Sequence, residues 1–244
     1  MKKITFATDN KYLLDFPELH PQPARNFVPE WYKDVPINRK NPTPRIPNYI
    51  PKKINLGRTV KTCPSFMEVF NEGYVFVAPC DIWIRVEDNG EWEWKTASVG
   101  FELVEHGDWQ MIDYLPNKSI KKILKLINPW HIFTPKGYSV RQMPMMFHYN
   151  KDFFVPYGNL KTDVHFEAHQ QLCITSDENE VLIKRGDPIN YVVPYKRESF
   201  NMEVVDGTKP EYFDRIQSAK LFIGSGFRSN YHRFTDKKGK KYEL

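Results

Sequence analysis

Proline sets the first limit on what this chain can fold into. Nineteen occur in 244 residues, and Pro17, Pro21, Pro23, Pro29, Pro36, Pro42, Pro44, Pro47 and Pro51 crowd one stretch near the N-terminus. Each lacks a backbone N–H, clashes with the turn before it, and pushes its predecessor into extended backbone. Long helices are excluded there, so residues 1–60 read as an extended Pro-rich arm. Phe27, Val28, Trp31, Tyr32 and Tyr49 punctuate it. Such an arm is expected to pack its aromatics onto the domain or a neighbour, unlike a flexible linker.

Elsewhere the hydrophobic period is that of strands. Ile4–Ala7, Tyr74–Val77, Ile82–Val86, Glu91–Thr96, Ser98–Val104, Ile123–Ile127 and Gly137–Gln142 form one series. Thr162–His169, Gln171–Thr175, Val181–Lys184, Ile189–Val193 and Phe200–Val205 form another. Asp88-Asn89-Gly90 is a hairpin turn signal, because Asn and Gly tolerate positive φ. Two capping boxes start short helices: Ser65 with Glu68, stopped by Gly73, over roughly 65–72, and Thr208 with Glu211 over roughly 210–222. Strands every 8–15 or so residues, with turn signals between, predict a mainly β fold, a jelly-roll-like or β-sandwich single domain. It would span 1–244, with a β core over 61–205 and a helix and basic tail over 206–244. No repeat of fixed period is present.

Composition bounds the function classes. A hydrophobic content of 41%, with 15% aromatic, excludes a disordered chain. The net charge of +5 is mild, and part of it sits in Lys237, Lys238, Lys240 and Lys241, which read as a solvated tail. A nucleic-acid partner would need a basic face with interleaved aromatics, so none is expected. Cys63, Cys80 and Cys173 have neither metal-type spacing nor an even count, and read as buried thiols. No apolar run approaches the roughly 20 residues that cross a bilayer. Met1-Lys2-Lys3-Ile4 lacks a signal-peptide core. A cytosolic protein is expected.

His165-Phe166-Glu167-Ala168-His169 is the one metal-like pattern. On a strand, positions i, i+2 and i+4 share a face. Two imidazoles and a carboxylate are the ligand set of non-haem Fe(II) oxygenases. His165 to His169 would span about 13 Å, however, so only His165 and Glu167 with a distant His232 form a workable set. Fe(II) and 2-oxoglutarate would then be the cofactors; otherwise none is expected. Asp163 beside His165, and His148 near Arg141, are titratable neighbours without a stated role. Gly224-Ser225-Gly226 lacks the nucleophile-elbow pattern, and no phosphate-cradling loop is present. Trp92 and Trp94 share a face of the predicted hairpin; they are either a buried ladder or, with Trp31 and Tyr32, a contact surface.

Several segments in order carry a resemblance. They are Pro23-Ala24, Pro29-Glu30-Trp31-Tyr32-Lys33, Thr59 to Phe66 with Gly73-Tyr74, and Asn128-Pro129-Trp130. Thr134 to Ser139, Gly186-Asp187-Pro188-Ile189 and Pro194-Tyr195-Lys196-Arg197 complete the set. Together they resemble an uncharacterised family of phage and bacterial proteins, domain of unknown function 6065, over most of residues 4–205. The resemblance carries no known activity and no catalytic residues, and the His165/Glu167 pair lies outside the matching motifs. It implies a phage-encoded, non-enzymatic virion or assembly component in the host cytoplasm or the particle. Its partners would be other phage proteins or further copies of itself. A jelly-roll oxygenase is the alternative, and a carbohydrate- or protein-binding module using Trp92 and Trp94 a third.

Overall fold

The computed structural model describes residues 2–37, 59–96, 101–115 and 119–225. The strands are β1 (Thr5–Ala7), β2 (Gln22–Pro23), β3 (Tyr74–Val77), β4 (Ile82–Val86), β5 (Trp92–Thr96), β6 (Leu103–Glu105) and β7 (Lys122–Leu126). They continue as β8 (His131–Phe133), β9 (Tyr138–Met143), β10 (Phe153–Phe154), β11 (Gly158–Leu160), β12 (Gln170–Ile174), β13 (Glu180–Ile183) and β14 (Pro188–Lys196). The α-helices are α1 (Lys11–Asp15), α2 (Glu30–Asp34), α3 (Pro64–Val69) and α4 (Pro210–Ser225). The fold is mainly β, as expected. Its contacts divide it into two compact units, Met1–Phe27 with Asn71–Glu198, and Val28–Phe70 with Ser199–Leu244.

The first unit holds four antiparallel sheets, ordered β1-β8, β10-β12-β7-β6, β11-β9-β14-β3-β2 and β13-β4-β5. Alternation explains how two of them meet. Ile82, Ile84 and Val86 of β4 are buried while Trp83 and Arg85 between them are not. On β13, Val181 and Ile183 are buried and Leu182 is exposed. These inward rows join Leu103, Leu124, Leu126, Phe153, Leu172 and Ile174 of the four-stranded sheet in one apolar cluster. That is sandwich packing. The predicted hairpin is present between β4 and β5. Gly90 has φ +86, and the Asn89 side-chain oxygen accepts from the Glu91 N–H at 3.0 Å.

A second apolar cluster joins β3, β9 and β14 to Leu13, Leu19, Ala24, Trp130, Ile132 and Ala168. The start of the Pro-rich stretch is therefore core. It is also coiled: α1, the 3-10 turns Pro17–Leu19 and Ala24–Phe27, and short β2 follow one another. Pro17 opens its turn, where a missing N–H leaves nothing unpaired. Tyr49, Pro42, Pro44, Pro47 and Pro51 lie outside the described residues.

Three sequence expectations are corrected. Thr162–His169 is no strand: it opens with a turn in which the Val164 and His165 N–H groups both donate to the Lys161 carbonyl, and it meets β8 only through an isolated bridge, where Glu167 pairs His131 and the Phe166 carbonyl accepts from the Ile132 N–H. Phe200–Val205 forms no strand among the described residues. Helix α3 is capped at Cys63 with Pro64 at its first position, one residue before the Ser65 box, because the fixed φ of proline suits a first turn.

In the second unit, Tyr32 of α2 is 5% exposed. Its ring lies parallel to that of Phe66 at 6.2 Å and tilted to that of Phe70 at 5.6 Å. Lys61 Nζ donates to the carbonyls of Tyr32 and Lys33 at 2.9 and 3.0 Å. Before α4, Asp206 accepts from the N–H and the hydroxyl of Thr208.

Candidate functional site

The site that stands out lies in the first unit, between the edges of two sheets. Strand β10 is one of the two outer strands of the four-stranded sheet, and β13 one of those of the three-stranded one. Both line a cleft of about 760 Å³, together with the 144–152 segment and residues 187–189. Its walls are mixed: Met145, Met146, Phe147 and Phe154 stand beside His148, Asn150, Lys151 and Asp152. Leu182 stands out from β13 at 56% exposure. An outer strand presents N–H and C=O groups to its open side as a template for another strand; β13 offers four residues of such an edge, whereas on β10 the Phe153 N–H already donates to Asn150 Oδ1 at 3.4 Å.

The loop that closes the cleft is held at both ends. His148 Nε2–H donates to the Phe27 carbonyl at 2.8 Å. At the other end the Asp152 carbonyl accepts from the Thr175 and Ser176 N–H groups, and the Thr175 hydroxyl donates to the Lys151 carbonyl at 2.8 Å. Asn150 accepts from the Asp152 N–H at 2.8 Å. Between these anchors Phe147 and Tyr149 have φ +64 and +53. Aromatic residues rarely enter the left-handed region, and strain of this kind collects at ligand clamps. Two of its carboxylates make local bonds: Asp152 accepts from the Ser176 hydroxyl, and Asp187 from the Lys184 N–H.

Of the three expected metal ligands, His165 and Glu167 lie among the described residues. His165 is exposed in its turn, and His232 lies outside the described residues. Glu167 Oε2 instead accepts from His169 Nε2–H at 3.1 Å, while His169 Nδ1 accepts from the Asn128 N–H at 3.3 Å. Burial, then the charge of Lys125, keeps the His169 imidazole below its ordinary pKa, consistent with this neutral tautomer. Among the described residues no three His, Cys, Asp or Glu are grouped to hold a metal ion. No helix among them is long and apolar enough to cross a membrane.

Asp163 pairs with Arg197, not with His165. One guanidinium nitrogen donates at 2.8 Å, a second donates to the other carboxylate oxygen, and the Gly137 N–H adds a bond at 2.8 Å. Arg197, then Gly137, hold the Asp163 carboxyl well below the usual carboxylate range. A depressed folded-state pKa gives stability that is fully present above the unfolded value of about 3.9 and lost as pH falls toward the folded one. Asp163→Asn should therefore flatten the fall of melting temperature between about pH 4 and pH 2. Scanning calorimetry at stepped pH measures this, and equal slopes for the two proteins would contradict it.

Trp92 and Trp94 are half-buried against the sandwich cluster. Trp92 Nε1–H donates to Glu105 at 3.2 Å, and Trp94 meets Phe101 edge-on at 6.2 Å. Trp31 is half-exposed, whereas Tyr32 is a core ring and leaves the expected contact surface. The sequence reading missed the cleft. The run Pro144-Met145-Met146-Phe147, apolar yet outside any strand pattern, was the available signal.

No protein-family model matches the chain, and no curated protein matches it. Among solved structures it is similar to native EIAV dUTPase, at 13% identity and a TM-score of 0.32, over 57% of this chain and 87% of that one. A likeness that loose carries no argument.

Proposed function

We propose that the protein acts without catalysis, through contacts with other proteins, and that the cleft between β10 and β13 receives an extended segment of a partner. The observation that carries this reading is the pair of outer strands lining one cleft, with Met145, Met146, Phe154 and Leu182 among its walls. A strand added there would pair its backbone with an open edge and seat alternate side chains against Met145, Met146, Phe154 and Leu182. The resemblance to phage proteins supports a virion or assembly role for such contacts. Finding the chain in purified particles would favour the virion form, and its absence would remove it.

The cleft is tested with labelled ten-residue peptides followed by fluorescence anisotropy. A peptide with apolar residues at alternate positions is expected to bind, and a scrambled peptide with those residues clustered is not. Leu182→Asp, at an exposed position, should weaken binding about tenfold or more. Equal behaviour of both peptides, or an unchanged Leu182→Asp variant, would count against the reading.

A further inference from the structure

One segment has the pattern of a strand without the surroundings of one. Phe200, Met202 and Val204 are 88%, 91% and 87% exposed, with Ser199, Asn201 and Glu203 alternating between them. Apolar residues at period two make a strand face that needs a partner. Among the described residues, residues 199–205 form no strand. Three large apolar side chains in a row, all nearly fully in water, mark an association surface.

We infer that residues 199–205 dock, as an added strand, into the β10/β13 cleft of a second copy of this chain, giving a closed homo-oligomer. The inference rests on the cleft reading above and names its occupant. Three features of the two surfaces fit. Phe200 to Val204 spans about 13 Å at strand rise, close to the length of the four-residue β13 edge. The apolar faces match in chemistry, since Phe200 and Met202 would meet Met145, Met146 and Phe154, and sulfur–aromatic contacts are favourable. The areas suffice as well. An arm burying about 500 Å² of its own surface, the like area of cleft beneath it, and the reciprocal contact sum to the order of 2,000 Å², within the range of stable interfaces.

The test compares the wild-type chain with the triple variant Phe200→Asp, Met202→Asp, Val204→Asp by light scattering across micromolar concentrations. All three positions are exposed, so the variant is expected to keep the wild-type circular dichroism. The wild type should be oligomeric and the variant monomeric. A monomeric wild type, or an oligomeric variant, would overturn the inference. A labelled peptide of residues 198–206 should also bind the triple variant, and Leu182→Asp added to that variant should weaken it about tenfold or more. Should this peptide fail while other alternating peptides bind, the inference falls and the cleft reading stands. Should no extended peptide bind, both fall.

Discussion

Replacing Glu105 by Gln and Asp108 by Asn together is expected to destabilise the protein by about 3 kcal/mol, the usual penalty for stranding a buried charge. Lys122 is 4% exposed at the end of an inward-facing row of β7. Its Nζ lies 2.6 Å from Glu105 and 3.3 Å from Asp108. Burial disfavours the ammonium, but the hydrogen bonds to Glu105 and Asp108 outweigh it and hold the Lys122 pKa above its ordinary value. Lys122, then Trp92, hold the Glu105 carboxyl below its own ordinary value. The lysine is thus kept charged, which suits a structural tie and not a nucleophile.

With both carboxylates neutralised, the ammonium stays buried without a counter-charge. In a chain this size, about 3 kcal/mol lowers the melting temperature by roughly 6–12 °C. Lys122→Met should do far less, about 1 kcal/mol, because Glu105 and Asp108 are both partly exposed and can turn to water. The sign with pH follows from the raised lysine. In the wild type its contribution is complete below the unfolded value of about 10.4 and fades as pH rises through the folded one. Chemical denaturation of the two variants measures the difference, and equal losses would refute the asymmetry.

Gly73→Ala is the second large effect, at about 3 kcal/mol. Gly73 has φ +74, and a Cβ there would sit 2.4 Å from the Val192 carbonyl oxygen and 2.9 Å from the Tyr191 ring. The backbone conformation alone costs a residue with a Cβ about 1 kcal/mol. The clash adds about 1–3 kcal/mol, since relieving it means moving β3 from β14 where they pair. Gly90 and Gly137 separate the two contributions. Both have positive φ, but a Cβ at either meets nothing within 4 Å. Their alanine variants should lose only about 1 kcal/mol each. If all three variants lose the same amount in urea titrations, the steric part of the argument is wrong.

These residues also show how far the sequence could be read. Strands β3 and β4 were legible residue for residue: β3 is a short apolar run buried from Val75 to Val77, and on β4 Ile82, Ile84 and Val86 face one core and alternate strictly. The hairpin followed from Asn89 and Gly90, whose conformational freedom is local. Thr162–His169 misled because its alternation imitates a strand, while Asp163 is placed by Arg197, a residue 34 positions away. Leu13 and Leu19 gave too short a pattern to show that the first proline-rich turns belong to the core. The cleft was least legible. It needs β10 and β13 to end up as outer strands of different sheets, and strand order is set by long-range pairing that no local pattern encodes. The metal reading rests on a local pattern whose distant member, His232, lies outside the described residues, while Glu167 bonds His169.

The central claim is that the cleft between β10 and β13, with the open edge of β13, forms a docking site for an extended segment. Hydrogen exchange tests it most directly, with amide protection followed in the free protein and at saturation with an alternating apolar peptide. The account predicts slowed exchange confined to Phe153–Phe154 and Glu180–Ile183, the two outer strands that line the cleft. Protection centred instead on Trp92 and Trp94, or none along β13, would contradict it.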